Sequence, residues 1–300
     1  MALREGTLAF YRDAARERSQ PLSRIFLEEE ARLSGKAEAA LEALMLERMG
    51  VMRQSLARGL AKPQHSRSGL IRGGAHQLDQ WRAAGNGLLA PAFTRLVAAA
   101  LSVAEVNACM GRIVASPTAG ACGVLPAALF TVAAEQGADD AALVRAFFTA
   151  GGIGLVIEKL ASLSGAEGGC QAEVGSASAM AAGALVELMG GTPDQVDHAV
   201  AFALANVMGL ICDPVKGLVE VPCVKRNAMG AVNATACAEM ALAGLESVFD
   251  ADSVIETMGR VGRKLPEEFR ETARGGLALL PLPQCGACGN DVCAPQAGPR

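Results

Sequence analysis

Aromatic side chains are scarce. They make up 4% of 300 residues, with Trp81 and Tyr11 the single tryptophan and tyrosine. Base-stacking platforms and sugar-binding surfaces would have little to work with. Charge is thin as well: 19% of residues are charged, and 27 basic against 31 acidic side chains leave a formal charge of −4. That is no electrostatic footprint for nucleic acid or for an anionic membrane, so neither is expected as a partner. Histidine occurs three times, at His65, His76 and His198, which limits imidazole chemistry to few places. The opening MALREGTLAFYRDAARERSQ is charged throughout and lacks the basic–apolar–small pattern of a secretory signal. One uncharged stretch, 113–134, is long enough for a bilayer, but it contains Pro117, Pro126, Gly120 and Gly123. A loop followed by a helix is expected there rather than a lipid-facing span, and the protein reads as soluble and cytoplasmic.

What is abundant is small and apolar. Hydrophobic residues reach 51%, which excludes disorder as the main state. A chain of this length buries roughly three quarters of its unfolded surface and needs no disulfide staples. The nine cysteines are odd in number and scattered. In a reducing compartment such thiols serve metal or catalysis more often than cross-linking.

Residues 1–60 are charged and helix-forming, and the stretch 24–60 places Leu41, Leu44, Met45, Met49 and Met52 at helical spacing in one amphipathic helix or two. Residues 61–75 form a loop rich in glycine and serine. From residue 85 alanine and glycine become dense. Thr192-Pro193-Asp194-Gln195 is a capping box with proline at the first helical position, followed by Val196, Val200, Ala203, Val207 and Leu210. Ser253 with Glu256 suggests a second box. No stretch alternates with the period of a half-buried strand. The expectation is an all-α, compact fold whose Ala/Gly-rich helices pack closely, with loops carrying the chemistry. The last twenty residues have the composition of a loop or tail.

Cys170, Cys212 and Cys223 differ from the other cysteines by their surroundings. Cys170 follows Gly168-Gly169 and Cys223 follows Pro222, each ahead of a helix-forming run, where helix amides and dipole favour a thiolate. Cys212 precedes Asp213-Pro214, which ends the preceding helix and turns the chain. Spacings of 42 and 11 are not those of a zinc finger. Three thiolates with one position left open suit a cubane iron–sulfur cluster whose fourth iron meets substrate. Cys109, Cys122 and Cys237 lie in Ala-rich apolar runs and read as packing. Cys285-x2-Cys288-x4-Cys293 resembles a small metal knuckle without a partner.

The stretch 210–227, LICDPVKGLVEVPCVKRN, resembles the signature of bacterial iron–sulfur-dependent L-serine dehydratases. Three further stretches resemble motifs of that family in the same order: SPTAGACGVLP at 116–126, GGCQAEVG at 168–175 and RGGLA at 274–278. The resemblance runs from about residue 66 to 285. It implies a helical catalytic domain over 66–285, an N-terminal helical segment over 1–65 and a tail over 286–300. It also implies a [4Fe–4S] cluster on Cys170, Cys212 and Cys223, with Cys285 matching a cysteine that can occupy the open iron. Fifteen residues follow Cys285, a departure from the family's ending. At this length the chain resembles an alpha subunit, so a beta subunit and a hetero-oligomer are implied.

The activity so implied is removal of water from L-serine to give pyruvate and ammonia, a step of amino-acid degradation, oxygen-sensitive because one iron is unprotected. An open iron would act as a Lewis acid on the 3-hydroxyl. For the substrate carboxylate the expected donors are the Ser116 and Thr118 hydroxyls and the amides around Gly120, together with the loop carrying Ser68, Gly69 and Arg72. His65, near Ser68, is the best local base; His198 sits inside a helix and reads as structural. Pyridoxal phosphate is not expected, because none of the six lysines sits beside a serine and before a phosphate-cradling glycine loop. Two alternatives stay open at this point: an L-cysteine desulfidase-type cluster enzyme, and a helical binding module with structural zinc.

Overall fold

The computed structural model describes residues 5–282, which form helices and irregular loops with two isolated β-bridges and no strand. In chain order the helices are α1 (Leu8–Glu17), α2 (Leu22–Ser34), α3 (Glu38–Ala61), α4 (Gly74–Ala83), α5 (Pro91–Ala108), α6 (Val124–Gln136), α7 (Asp140–Leu160), the single turn α8 (Gly165–Gly168), α9 (Ser176–Leu188), α10 (Pro193–Ala205), α11 (Cys223–Leu242) and α12 (Ala251–Lys264). The all-α expectation holds. Over 24–60 the chain forms two helices, α2 and α3, within the expected one or two, and α1 precedes them.

Helix α9 is the axis of the molecule. Its sequence, SASAMAAGALVEL, is buried continuously from Ser176 to Val186, and α7, α10, α11 and α6 pack around it. Small side chains make that enclosure possible. A Cβ on Gly183 would lie 2.4 Å from Ile153 Cδ1 on α7 and 3.1 Å from Val196 Cγ1 on α10. The two stretches long and apolar enough to cross a membrane, Ala119–Gln136 and Asp140–Leu160, are mostly buried inside this assembly.

The capping box at Thr192 is present with both of its bonds. The one expected at Ser253 is not: α12 begins two residues earlier, and Asp250 is its cap, accepting from Ser253 N at 2.7 Å. A carboxylate immediately before the helix outcompetes a serine inside it. Helix α10 also stops short of Val207 and Leu210. Gln171 captures the chain there, accepting from Gly209 N at 2.8 Å, while Leu210 O accepts from Gln171 N at 3.0 Å.

Buried carboxylates tie the N-terminal helices to the body. Asp252 accepts from Leu8 N at 2.7 Å and Ala9 N at 2.9 Å, satisfying free amides at the start of α1. Glu187 on α9 accepts from Ser23 N at 3.0 Å and from the Thr149 hydroxyl at 2.6 Å. Asp197 on α10 accepts from Ala251 N at 3.1 Å and faces Arg12 at 3.5 Å.

Burial pushes the Asp197 carboxyl up to about 6, with Asp252 and Asp250 opposing its ionisation and Arg12 favouring it. An acid raised in the folded state stabilises most below its unfolded value and loses that contribution as pH climbs through the folded value. The stability of the wild type relative to Asp197→Asn, which keeps the acceptor for Ala251 N, is therefore expected to fall between pH 4 and pH 7 and to level off above. Thermal unfolding of both proteins across that range measures it. A difference that does not change with pH would remove Asp197 as a titrating group.

Candidate functional site

The three cysteines singled out by sequence come from separate loops on one side of α9. Cys170 opens the helical run that continues through a π-turn at Gln171–Gly175 into α9. Cys223 is the first residue of α11, after Pro222. Cys212 lies between α10 and α11, its N–H bonded to Phe269 O at 2.8 Å and its carbonyl accepting from Glu271 N at 2.9 Å. All three are buried.

Buried polar side chains bring these loops together. Gln171 is fully enclosed; beyond its two bonds to Gly209 and Leu210 it donates to Gly168 O at 2.9 Å and Met258 O at 3.3 Å. It thus anchors Cys170 to the segment leading into Cys212. Asn227, one turn into α11, donates to Gly120 O at 2.8 Å and Cys223 O at 2.9 Å and accepts from Gly123 N at 2.8 Å. It fastens the 116–123 loop to Cys223. Asp213 accepts from Arg226 Nη2 at 2.9 Å and from Leu277 N at 2.8 Å, which draws the 274–278 loop against Cys212. Gly276 permits that approach: its φ is +60°, and a Cβ there would lie 2.5 Å from Asp213 Oδ2.

A second loop adjoins Cys223. Both Ser66 and Ser68 donate to Glu220 Oε2, the first at 2.8 Å, although 154 and 152 residues separate the partners. Ser66 Oγ also accepts from Ile71 N at 3.1 Å, so one hydroxyl shapes the loop and docks it. On this loop Gly69 is half-buried, and His65 and Arg72 are exposed, joined by a backbone bridge. The carbonyl of Gly69 accepts from Arg72 Nε at 3.0 Å.

On the other side, Glu173 reaches the cysteines from the π-turn. Its Oε1 accepts from the Thr118 hydroxyl at 2.7 Å and its Oε2 from Cys212 Sγ at 3.9 Å. A Cβ on Gly120 would lie 3.3 Å from Glu173 Oε1, so this residue forms part of the same wall. Burial raises the Glu173 carboxyl, and the bond from Thr118 opposes that only in part. Ser116 Oγ and Arg270 Nε are buried without a protein partner.

Helix N-termini predict lowered thiol pKa values for Cys170 and Cys223, and the folded chain reverses this. Burial pushes Cys170 up to about 11, against the pull of Arg226. It pushes Cys223 up to about 12, and it raises Cys212 too. The sulfurs also act on each other: charge on Cys170 or Cys223 opposes ionisation of Cys212. Among the described residues no three His, Cys, Asp or Glu side chains lie close enough to hold a single metal ion. Thiolates on one zinc stand about 4 Å apart, given bonds near 2.3 Å. Thiolates bound to separate irons of one cluster need no such approach.

The remaining expectations fall outward from this centre. Cys122 and Cys237 are packed in the core and Cys109 is partly covered. His198 Nδ1 accepts from Ser247 N at 3.2 Å, and His76 Nδ1 lies 2.6 Å from Leu60 O. Cys285, Cys288 and Cys293 lie outside the described residues. Cavities of about 640 and 440 Å³ sit elsewhere, beside the N-terminal helices and along α5, α6, α9 and α11. A smaller one, of about 280 Å³, touches Gly168, Ala172 and Arg270 beside Cys170. Sequence reasoning passed over Gln171, Glu173, Asp213, Glu220, Arg226 and Asn227. All stand inside the resembling motifs, where ionisable and amide groups amid glycine and alanine were the available signal. Glu271 carried none.

The sequence profile of the family described as "Serine dehydratase alpha chain" matches residues 17–278. The chain is 45% identical over 269 residues to "Probable L-serine dehydratase, alpha chain" of Bacillus subtilis (strain 168), covering 90% of this chain and 89% of that one. It is 42% identical over 266 residues to "L-serine dehydratase, alpha chain" of Peptoniphilus asaccharolyticus, covering 89% and 91%. Against "L-serine dehydratase" of Streptomyces coelicolor the identity is 41% over 274 residues, covering 88% of this chain and 58% of the longer relative.

Asn227 supplies a test of how the site is assembled. Asn227→Asp removes the donor to Gly120 O and leaves that half-buried carbonyl without its side-chain partner. The expected cost is about 1–3 kcal/mol, read as a lower urea midpoint at neutral pH. An unchanged midpoint would mean that the 116–123 loop is held some other way.

Proposed function

The chain belongs to the serine dehydratase alpha chain family, and on that footing we propose that it is the cluster-carrying subunit of an enzyme that converts L-serine to pyruvate and ammonia. The observation that carries this reading is that buried polar side chains tie the segments of Cys170, Cys212 and Cys223 to one another: Gln171 holds Gly209 ahead of Cys212, and Arg226 beside Cys223 holds Ile211 and Asp213 on either side of it. A [4Fe–4S] cluster suits this donor set. The three side chains are soft sulfurs, and a mostly buried guanidinium stands beside them. When bound, such a cluster supplies a Lewis-acidic iron for the departing hydroxyl.

The side chains around it divide the remaining work. Thr118, Ser116 and the amides near Gly120 form one wall for the substrate, with Ser116 Oγ buried and unpaired. Unpaired buried hydroxyls are uncommon in folded proteins, and a bound carboxylate would satisfy this one. Ser68, Gly69 and Arg72 form the opposite wall, fixed to the Cys223 segment through Glu220. An ionised Glu173 has about four lone-pair directions. One is taken by Thr118, and a cluster-bound Cys212 thiolate has no proton to donate, which leaves acceptors for the substrate ammonium. His65 receives the α-proton on its imidazole. Cys285 remains the proposed occupant of the open metal position in the resting enzyme.

A beta chain completes the site in this reading. His65 and Arg72 are exposed, and so are Met110, Leu218, Val219, Leu277, Leu279 and Leu280, with Leu218 and Val219 between Cys212 and Cys223 in the chain. The match to the Streptomyces relative covers 58% of that chain, so a single polypeptide can hold this region and a further one. A reducing cytoplasm fits an exposed iron.

The test is elemental analysis of the anaerobically purified chain, alone and co-expressed with a beta chain. About four irons with matching sulfide per alpha chain are expected, with pyruvate formation strong only in the pair. Air should bleach the protein and abolish activity, and ferrous iron with thiol should restore both. Stoichiometric zinc without iron, or activity that survives prolonged aeration, would overturn the proposal.

A further inference from the structure

Arg226 lies one turn beyond Cys223 on α11, and a single guanidinium there reaches all three cysteine segments. Its Nη1 donates to Ile211 O at 2.8 Å and its Nη2 to Asp213 Oδ1 at 2.9 Å, so it grips the chain on both sides of Cys212. It also hydrogen-bonds the Cys170 sulfur. The side chain is 15% exposed and that of Asp213 3%, so these partners, rather than water, offset the cost of burying the charge. A planar fork can donate in several directions at once, which an ammonium on a flexible stem cannot reproduce.

From this geometry we infer that Arg226 is the positioning residue of the cysteine centre, holding the Cys170 and Cys212 segments in register with Cys223 and placing a fixed positive charge against the Cys170 sulfur. Three thiolates, Asp213 and an ionised Glu173 gather five negative charges, and Arg226 is a cation hydrogen-bonded to two of these groups, Cys170 and Asp213. Asp213 extends the same network outward. Its second oxygen holds Leu277 N, so the guanidinium also sets the loop at 274–278. The inference rests on the cluster reading proposed above and concerns a side chain that would touch a ligand sulfur rather than the substrate.

The experiment uses the full chain, purified anaerobically as wild type, Arg226→Gln and Arg226→Lys, with iron release to a chelator and the cluster's reduction midpoint as readouts. Substitution of a residue that supports a metal ligand typically costs 10–100-fold in metal affinity. Iron release from Arg226→Gln should accelerate by about that factor, and the reduction midpoint should move to a more negative potential, because a positive charge beside the sulfur has gone. Arg226→Lys keeps the charge but not the fork, so its midpoint should stay near that of the wild type while iron release quickens. A purely structural role would leave the midpoints of all three loaded proteins alike. Should the glutamine variant fail to fold, the lysine variant decides: iron release equal to the wild type overturns the inference. A loaded wild type whose glutamine variant matches it in release and midpoint overturns this assignment alone. A wild type that takes up no iron and sulfide overturns the cluster reading, and the assignment with it.

Discussion

Loops that carry chemistry must be held by something, and here buried polar side chains that each bond two or three segments hold them. Gln171, Asn227 and the Arg226–Asp213 pair are enclosed where an unsatisfied amide or charge costs kilocalories. Each can be satisfied only if its partner loop is in place. The hydrophobic core does not impose this condition. Packing of α9 against its neighbours positions helices, but it leaves the connections at 116–123, 206–222 and 265–282 to be fixed by directional bonds. The site is therefore a consequence of hydrogen-bond satisfaction built upon small-residue helix packing.

Two opposing effects bear on the cysteines, and their magnitudes decide the outcome. A helix N-terminus stabilises a nearby anion by about 0.3–1 kcal/mol. Burial carries Cys170 to about 11 from an ordinary thiol value near 9, an unfavourable effect of about 3 kcal/mol. Burial wins even with a guanidinium beside the sulfur, so the metal-free chain holds protonated thiols. Under the proposed function, metal must displace these protons, and the free energy of binding is then coupled to ordering of the loops.

The helices were legible because their determinants are local. Thr192 with Gln195 reads directly as a start, and the Ala/Gly content of 176–188 reads as close packing. The errors lie where a partner distant in sequence overrides the local pattern. Helix α10 has the right periodicity through Leu210 but is interrupted by Gln171, some 38 residues earlier. The cap at Asp250 displaced the one at Ser253 because a carboxylate was available immediately before the helix. In the site, cysteine, serine and glycine stood out by type. The groups that orient them did not, since Arg226 and Glu220 look like ordinary surface charges until a fold encloses them. Their roles depend on contacts spanning 13 to 154 residues, which no local pattern encodes.

The site is also asymmetric, and that asymmetry bears on how the work is divided between chains. Behind the cysteines, α9 and α11 seal the interior with alanine and glycine. In front, Leu218, Val219, Leu279 and Leu280 remain exposed, as does His65. A chain stabilised only for itself would gain by covering this rim, since apolar side chains left in water forgo roughly 25 cal/mol per Å². Instead the loops there are pinned by Glu220 and Asp213, which hold them in shape while leaving their outer faces open. Under the proposed function, exposed apolar side chains on loops pinned beside a buried polar centre suit contact with a second polypeptide. In the proposed enzyme the alpha chain then supplies the metal-holding wall, and closure against water falls to its partner.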